Sequence, residues 1–245
     1  MDDLKILLMD LELTFAVYYA YPSKREQYLS DKNLVHDQFC TCAAYKWAGE
    51  KKAKSVKITD NKTRFKKNFR DDLIVAKKLH ALMTDADVIV AHNGDNFDIK
   101  HANTLFRKHG LGPIPPHKSI DTLKVARKYF AFPGNSLDSL AKRFGSTGKN
   151  RKPNWHKMTD GDAKEIDIAA KYCRNDVDEL DIIFKEMRPY ILNFPQLKQK
   201  PKNTHCVKCG SEDLQRNGTA YRLSGRYQRY QCKCCGAWST GEKVI

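Results

Sequence analysis

Hydrophobic residues in the first sixty positions come in short runs and alternating stretches that predict β-strands. These runs cover Lys5–Leu13, Phe15–Tyr21, Phe39–Trp47 and Ser55–Ile58, with Lys- and Asp-rich turns between them. All of them precede any helical pattern. We therefore expect a meander of antiparallel strands joined at hairpins.

Beyond residue 70 the apolar positions follow the three- and four-residue spacing of helices. Helices are predicted over Asp71–Thr84, Ile99–His109, Asp121–Phe130, Ser136–Phe144 and Ala163–Tyr190. Short apolar strands at Ala86–Ala91 and Ser119–Ile120 lie between them. Strands first and then alternating helix and strand predict an α/β fold, with a mixed sheet flanked by helices.

Composition changes near residue 200. The charged, proline-containing run KQKPKN at 198–203 is typical of a linker, and the residues after it are rich in cysteine and arginine. We expect a main domain over residues 1–195, a linker over 196–203 and a small β domain over 204–245.

The net charge of +15 favours a polyanionic partner, most simply nucleic acid. No apolar run is long enough for a transmembrane helix, and the start of the chain lacks a basic signal-peptide region, so no membrane partner is expected. Five of the eight cysteines crowd into Cys206–Cys235. That distribution predicts a reduced, cytoplasmic protein with one metal site rather than a disulfide scaffold.

Candidate chemistry begins in the first strand. Asp10 and Glu12 are two residues apart, so both carboxylates point to one face of a mostly apolar strand. Burying even one unpaired charge costs roughly several kcal/mol, and a divalent metal between the two would remove that cost. An exposed strand edge is the alternative.

Two more carboxylates occupy element boundaries or helix faces. Asp98 follows the buried strand Ala86–Ala91 and a turn-rich segment, at the start of a predicted helix. That place suits chemistry in open α/β folds, but also a simple helix cap. Tyr172 and Asp176 are four apart on the last predicted helix and so share a face.

In this order the motifs Asp10-x-Glu12, Asn93-x-x-x-Phe97-Asp98 and Tyr172-x-x-x-Asp176 resemble the DEDD (DnaQ-like) 3′–5′ exonuclease superfamily, which has a ribonuclease H-like fold. The middle motif is similar to the second exonuclease motif of family-B DNA polymerases. Lys171, rather than histidine, lies five residues before Asp176, which matches the tyrosine subtype. The resemblance covers about residues 4–192.

The resemblance implies two Mg²⁺ or Mn²⁺ ions held by Asp10, Glu12, Asp98 and Asp176. One ion would supply the attacking hydroxide and the other would stabilise the leaving 3′ oxygen. The Tyr172 phenol would orient the nucleophilic water, since its pKa near ~10 suits a donor better than a base. Leu13 departs from the threonine of many relatives, which leaves the ligands intact but puts nearby substrate contacts in question.

Residues near Asp98 also have predicted roles. Asn93 fixes the loop or contacts the terminal nucleotide, and Phe97 packs against the core beside Asp98. Asp95 is an alternative ligand to Asp98. His92 is interpreted as a structural loop histidine, and Asp121 as a helix N-cap rather than a further ligand.

The basic run Gly148–Lys157 holds Trp155, which we expect either to stack a base from a flexible loop over the cleft or to lie in an ordinary solvated loop. A second basic run, Lys62–Arg70, is expected to be a surface stretch.

Near the C-terminus, Cys206-x-x-Cys209 and Cys232-x-x-Cys235 predict a zinc ribbon with one structural Zn²⁺. A glycine follows each pair, which selects Cys235 over Cys234; His205 is a further possible substitute. Between the pairs we expect a β-hairpin about Ser224-Gly225. Its arginines, interleaved with tyrosines, would bind nucleic acid, or the ribbon would dock on a protein partner; these arginines are Arg222, Arg226 and Arg229.

The sequence therefore predicts a two-metal 3′→5′ exonuclease that releases nucleoside 5′-monophosphates, DNA being favoured and single-stranded 3′ ends being the substrate. It would proofread in trans for a separate DNA polymerase or process ends alone. The alternatives are a ribonuclease H-like endonuclease on structured or hybrid substrates, and a nucleic-acid-binding adaptor with a vestigial site.

Overall fold

The computed structural model describes residues 4–20, 30–146, 151–191, 194, 204–222 and 224–244. The predicted linker at 196–203 lies outside these residues, as do Tyr21 and positions 148–150 of the basic run. The strands are β1 (Ile6–Leu13), β2 (Val17–Tyr18), β3 (Leu34–His36), β4 (Cys40–Trp47), β5 (Lys54–Lys57), β6 (Val88–Ala91), β7 (Lys118–Asp121), β8 (Leu214–Arg222), β9 (Gly225–Cys232) and β10 (Trp238–Lys243). The α-helices are α1 (Lys62–Lys67), α2 (Leu73–Asp85), α3 (Asp98–Lys108), α4 (Thr122–Tyr129), α5 (Leu137–Arg143), α6 (Trp155–Thr159) and α7 (Ala163–Met187).

A five-stranded mixed sheet in the order β5-β4-β1-β6-β7 forms the centre of the main domain. The β1 strand pairs antiparallel with β4 and parallel with β6, and β6 pairs parallel with β7. Helices pack on this sheet, so the predicted α/β class with a mixed sheet is confirmed. Because β1 is the central strand, its apolar residues Leu7, Leu8 and Met9 are fully buried.

Small side chains let α7 approach the sheet closely. On β4, Cys42 lies opposite Glu12 and Ala44 lies opposite Asp10, so these short side chains share a face with the two carboxylates. On α7, the residues Ala169 and Cys173 are fully buried. The close packing brings the middle of α7 next to the carboxylates of β1.

The second strand of the predicted meander is wrong as a sheet strand. Among the described residues of this segment, only Val17–Tyr18 forms a strand, and it pairs with β3 in a separate two-stranded ribbon. Two of the aromatic residues that suggested a strand, Phe15 and Tyr19, are 47% and 74% exposed. Two short helices, α1 and α6, also form within the basic runs that predicted a surface stretch and a loop.

The described C-terminal residues form a three-stranded antiparallel sheet in the order β10-β9-β8. Arg222 pairs with Gly225, so the chain turns between these two residues, one position before the predicted Ser224-Gly225. Gly225 has a φ of +130°, a conformation that favours glycine. None of the described helices is both long enough and apolar enough to cross a membrane.

Candidate active site and cysteine cluster

Two elements bring three carboxylates together at one end of the central sheet. Asp10 and Glu12 come from the second half of β1, and Asp176 comes from the middle of α7. Carboxylate oxygens of these three residues lie within 4.8 Å of one another. Residue 176 is far from residues 10 and 12 along the chain, and the packing of α7 on β1 brings them together.

Asp98 lies at the first position of α3, as the sequence predicts, and is almost fully buried. Its Oδ1 accepts a hydrogen bond of 3.1 Å from the backbone N–H of Leu11. The β1–β6 pairing runs only as far as Leu8 and Val90. The Asp98 carboxylate therefore accepts a hydrogen bond from a β1 amide that lies beyond the part of β1 paired with β6. This amide belongs to the residue between Asp10 and Glu12.

The loop between β6 and α3 has a backbone that only certain residues adopt. Asn93 has a φ of +62°, in the left-handed region that asparagine tolerates better than most side chains. Its carbonyl accepts from the N–H groups of Asn96 and Phe97. A Cβ at Gly94 would lie 2.4 Å from the Ala91 Cβ, so only glycine fits there. This tight turn aims the start of α3 at β1.

Asp121 anchors the loop from the neighbouring strand. Its Oδ1 caps α4 by accepting from the N–H groups of Leu123 and Lys124, and it also accepts from the N–H of Asn93 at 2.9 Å. The predicted N-cap is therefore present, with an additional loop contact. Asp121 Oδ2 is buried without a hydrogen-bond partner among the described residues.

Two other residues of the loop face away from the carboxylates. Asp95 forms an ion pair with Lys124 at 2.6 Å and accepts a hydrogen bond from the Ser119 hydroxyl. Both partners lie outside the group of converging carboxylates. The His92 ring contacts the Thr122 hydroxyl at 2.9 Å and the Asn135 carbonyl at 3.0 Å. Burial lowers the pKa of His92. These contacts agree with a structural role for His92.

Crowding raises the pKa of all four carboxylates. Burial is the largest cause in each case, and repulsion from neighbouring acids adds to it. The pKa of Glu12 rises to about 8, and those of Asp98 and Asp176 rise to about 7. The pKa of Asp10, which Asp98, Glu12 and Asp176 all face, rises well above its ordinary value.

Each of the three convergent carboxylates also faces a neutral side chain that can donate a hydrogen bond. The Tyr172 phenol lies beside Asp176, the Trp155 indole lies beside Glu12, and the Cys173 thiol lies 3.1 Å from Asp10 Oδ2. Burial and the adjacent carboxylates raise the pKa of Tyr172, so its phenol stays protonated. Tyr172 can therefore donate a hydrogen bond but cannot act as a base near neutral pH.

Trp155 lies inside the site rather than in a free loop. It begins α6, which Asn154 caps, and its half-buried ring packs against the core. The α6 helix is tied to the end of β1 through a hydrogen bond from Phe15 N–H to Thr159 Oγ1. The sequence suggested this residue for base stacking, and it missed the contact with Glu12 because nothing local links positions 12 and 155.

Two phenylalanines beside the carboxylates are exposed. Phe97, directly before Asp98, is 39% exposed and packs edge-on against His101, so the expectation that it packs into the core is wrong. Phe15, two residues after β1, is 47% exposed and packs on His156. The turn that buries Asp98 rotates the preceding side chain outward, which no sequence pattern revealed.

The donor set suits hard divalent cations. Oxygen atoms from three carboxylates converge, a fourth carboxylate is adjacent, and all four are held partly desolvated with raised pKa values. Carboxylate oxygens are the ligands that Mg²⁺ and Mn²⁺ prefer. A bound cation would offset the repulsion that raises these pKa values.

A second candidate metal centre lies in the C-terminal sheet. The sulfur atoms of Cys206, Cys209, Cys232 and Cys235 lie within 4.8 Å of one another. Two of the sulfur pairs, Cys206–Cys235 and Cys209–Cys232, are 3.6 Å apart. Tetrahedral zinc with Zn–S bonds of about 2.3 Å places sulfurs about 3.8 Å apart, so the cluster fits zinc.

The turns around this cluster follow the predicted pattern. Gly210 and Gly236 have φ values of +78° and +72°, and each donates its N–H to the first cysteine of its pair, at the carbonyl. Cys234 is exposed and lies outside the cluster. His205 is also outside it; its Nδ1 contacts the Thr204 hydroxyl.

The predicted nucleic-acid-binding arginines of this sheet do not share one face. Arg226 and Arg229 are three apart on β9, so their side chains point to opposite faces. Arg229 is exposed and stacks on the Trp238 ring at 4.8 Å. The Arg226 guanidinium lies 6.0 Å from the Tyr221 ring centre. Arg222 ends β8.

Comparison with known proteins supports an exonuclease domain. Residues 50–168, just under half of the chain, match a family model described as Exonuclease (RNase T). This range contains Asp98 and Trp155. It begins after Asp10 and Glu12 and ends before Tyr172.

Two polymerases show partial similarity. A 60-residue stretch, 24% of the chain, is 40% identical to the PolC-type DNA polymerase III of Ureaplasma parvum and covers 4% of that protein. The family-B DNA polymerase of the archaeon Pyrobaculum calidifontis matches in structure with a TM-score of 0.57 and 16% identity, over 76% of this chain and 25% of that one. The chain thus spans a small part of each polymerase, and the structural match shows the ribonuclease H-like fold.

Proposed function

We propose, from the match of residues 50–168 to an exonuclease family, that this chain is a metal-dependent nuclease that shortens nucleic acids from the 3′ end. The observation that carries the proposal is the convergence of Asp10, Glu12 and Asp176, with Asp98 adjacent to them. The reaction is phosphodiester hydrolysis that releases nucleoside 5′-monophosphates. DNA is the favoured substrate.

Asp10, Glu12 and Asp176 would hold one Mg²⁺ or Mn²⁺, and Asp98 with Asp10 would place a second. Such a pair would lower the pKa of the attacking water and stabilise the leaving oxygen. Tyr172, which lies beside Asp176 and stays protonated, would position the attacking water through its phenol oxygen. The proton from that water passes to solvent or to the carboxylates, not to Tyr172.

Two exposed rings, each within three residues of a site carboxylate along the chain, favour a frayed, single-stranded end. Phe15 and Phe97 each present an exposed ring next to a site residue. Stacking of a base on an aromatic ring contributes about 1–3 kcal/mol, and it requires that the base be unpaired. Asn93, whose backbone is fixed by Asp121, would contact the terminal nucleotide.

The cysteine cluster would hold one structural zinc, and the surrounding sheet would contact the nucleic acid through Arg222, Arg226 and Arg229. Arg229, stacked on Trp238 and exposed, is the arginine best placed for a phosphate. Because the similar proteins are DNA polymerases, we propose that the chain proofreads in trans for a separate DNA polymerase.

The test is digestion of single-stranded DNA and RNA labelled at either end, with Mg²⁺ or Mn²⁺. We expect a ladder that shortens from the 3′ end and that falls by at least about a thousandfold in Asp98→Ala, because mechanisms of this kind depend on correctly placed metals. Asp95→Ala is the matched control, since Asp95 lies in the same loop but pairs with Lys124. Internal cuts would support an endonuclease, and full activity in Asp98→Ala would refute the assignment.

A further inference from the structure

Cys173 contacts the carboxylate at the centre of the acidic group. Its Sγ lies 3.1 Å from Asp10 Oδ2 and 3.3 Å from the Asp10 carbonyl oxygen. The Cys173 side chain is fully buried between α7 and the sheet. The S–H is the donor in this contact, because both atoms of Asp10 are acceptors.

The thiol approaches Asp10 from outside the converging oxygens. Among the described residues, the acidic group that could hold a cation consists of Asp10, Glu12 and Asp176 and includes no sulfur. Cys173 therefore touches a proposed ligand without being one. Cys42, opposite Glu12 on β4, lies near the Cys173 thiol in the same buried layer.

We propose that Cys173 is a positioning residue that orients the Asp10 carboxylate and thereby sets the affinity of the site for divalent metal. This inference rests on the proposed two-metal function. Residues that hydrogen-bond to metal ligands commonly change metal affinity by about 10–100-fold when they are removed. A thiol is a weak donor, so a smaller effect is expected here.

The physical reason is repulsion within the group. Asp98, Glu12 and Asp176 all repel the Asp10 carboxylate, and each favours its rotation away from them. Rotation would turn an oxygen out of the metal site. The hydrogen bond from the Cys173 S–H to Asp10 Oδ2 opposes that rotation. The other carboxylate oxygen of Asp10 therefore stays directed at the neighbouring carboxylates.

The experiment compares Cys173→Ala, Cys173→Ser and Cys173→Val with wild type. Binding of Mn²⁺ is measured by titration calorimetry, and the Mn²⁺ concentration for half-maximal nuclease activity is measured in parallel. We expect Cys173→Ala and Cys173→Val to weaken Mn²⁺ binding about three- to tenfold while the KM for the oligonucleotide is unchanged. The hydroxyl of Cys173→Ser donates a hydrogen bond, so this variant stays within about twofold of wild type.

Cys40→Ala is the matched control, because Cys40 is a buried thiol that donates to the Cys42 carbonyl rather than to a carboxylate. It should lose comparable thermal stability but keep its Mn²⁺ affinity. Unchanged affinity in Cys173→Val, or an equal loss in Cys173→Ser and Cys173→Val, would overturn the positioning role. Wild-type protein whose Mn²⁺ binding is absent, or survives Asp10→Ala, would instead overturn the proposed metal site.

Discussion

Each charged carboxylate in this site destabilises the folded state until a cation binds beside it. Glu12 is 8% exposed and Asp98 is 1% exposed, yet neither forms a salt bridge among the described residues. The donor groups beside the four carboxylates are neutral: an indole, a backbone amide, a phenol and a thiol. Neutral donors hold the carboxylates in place while leaving their charge available to a cation.

The raised pKa values predict a pH-dependent stability without Mg²⁺ or Mn²⁺. The folded pKa of Glu12 is about 8 against an ordinary value of 4.5, so between these pH values the folded state holds a proton that the unfolded state has lost. The free energy of unfolding therefore falls as the pH rises through this window. Urea unfolding at pH 5, 6.5 and 8 in buffers without these metals would measure it.

Glu12→Gln is the control for this prediction, because glutamine does not titrate. Its free energy of unfolding should fall less steeply with pH than that of wild type. Addition of Mn²⁺ to wild type should restore stability more at pH 8 than at pH 5. A wild-type curve parallel to that of Glu12→Gln would contradict the raised pKa of Glu12.

The four acidic residues and Tyr172 were accessible from sequence because each belongs to a short motif on a predictable element. Phe97, Trp155 and Cys173 were not, since their contacts depend on how elements pack. Burial of Phe97 was the natural expectation for an aromatic residue beside a helix start. The left-handed Asn93 and the close approach of Gly94 to Ala91 turn it outward instead.

At the level of elements, two neighbouring strands end in the same way. The β6 and β7 strands are parallel, and each is followed along the chain by a helix that has an acidic residue at its start. Asp121 links the two ends, since one oxygen caps α4 and also holds Asn93 of the adjacent loop. The position of Asp98 therefore depends on a residue outside its own loop.

Removal of this link should destabilise the domain. Asp121→Ala leaves three backbone N–H groups without their acceptor, which we expect to lower the free energy of unfolding by about 2–3 kcal/mol. Asp121→Asn retains an acceptor oxygen and should lose about 1 kcal/mol or less. Urea unfolding monitored by circular dichroism checks both. Equal stability of Asp121→Ala and wild type would refute the linking role.

Long, strongly periodic elements were predictable at this level, and short ones were not. The α7 helix and the central strands follow the apolar spacing directly. The α6 helix has five residues and lies in a basic run, where its Asn154 cap, its buried Met158 side chain and its packing on α7 stabilise it. The β2–β3 ribbon was missed because its two strands are two and three residues long and lack an apolar face.

For the whole molecule, the C-terminal sheet and the main domain meet at the end of α7. The buried Lys208 donates its Nζ to the Ile191 carbonyl. Arg188 stacks on Phe194 at 4.4 Å and lies near the sulfurs of the cysteine cluster, whose negative charge raises its pKa while burial, the larger effect, lowers it. Four thiolates with zinc would carry a charge of −2, so both cations favour a loaded cluster.

Cys232→Ser should abolish stoichiometric zinc. Three thiolates remain and one sulfur ligand is lost, so we expect zinc content to fall from one equivalent to well below half, measured by plasma mass spectrometry of the dialysed protein. Cys234→Ser is the matched control and should retain zinc, since Cys234 lies outside the cluster. Zinc retained in Cys232→Ser and lost in Cys234→Ser would move the ligand assignment to Cys234.

The central position of β1 has a consequence for synthesis of the chain. Of the two neighbours of β1 in the sheet, β4 is synthesised first and β6 later. Asp176 is synthesised only with α7. Chains leave the ribosome amino end first and fold as units become complete. A nascent chain that lacks α7 has at most three of the four carboxylates, so the proposed nuclease cannot assemble its site before α7 has been made.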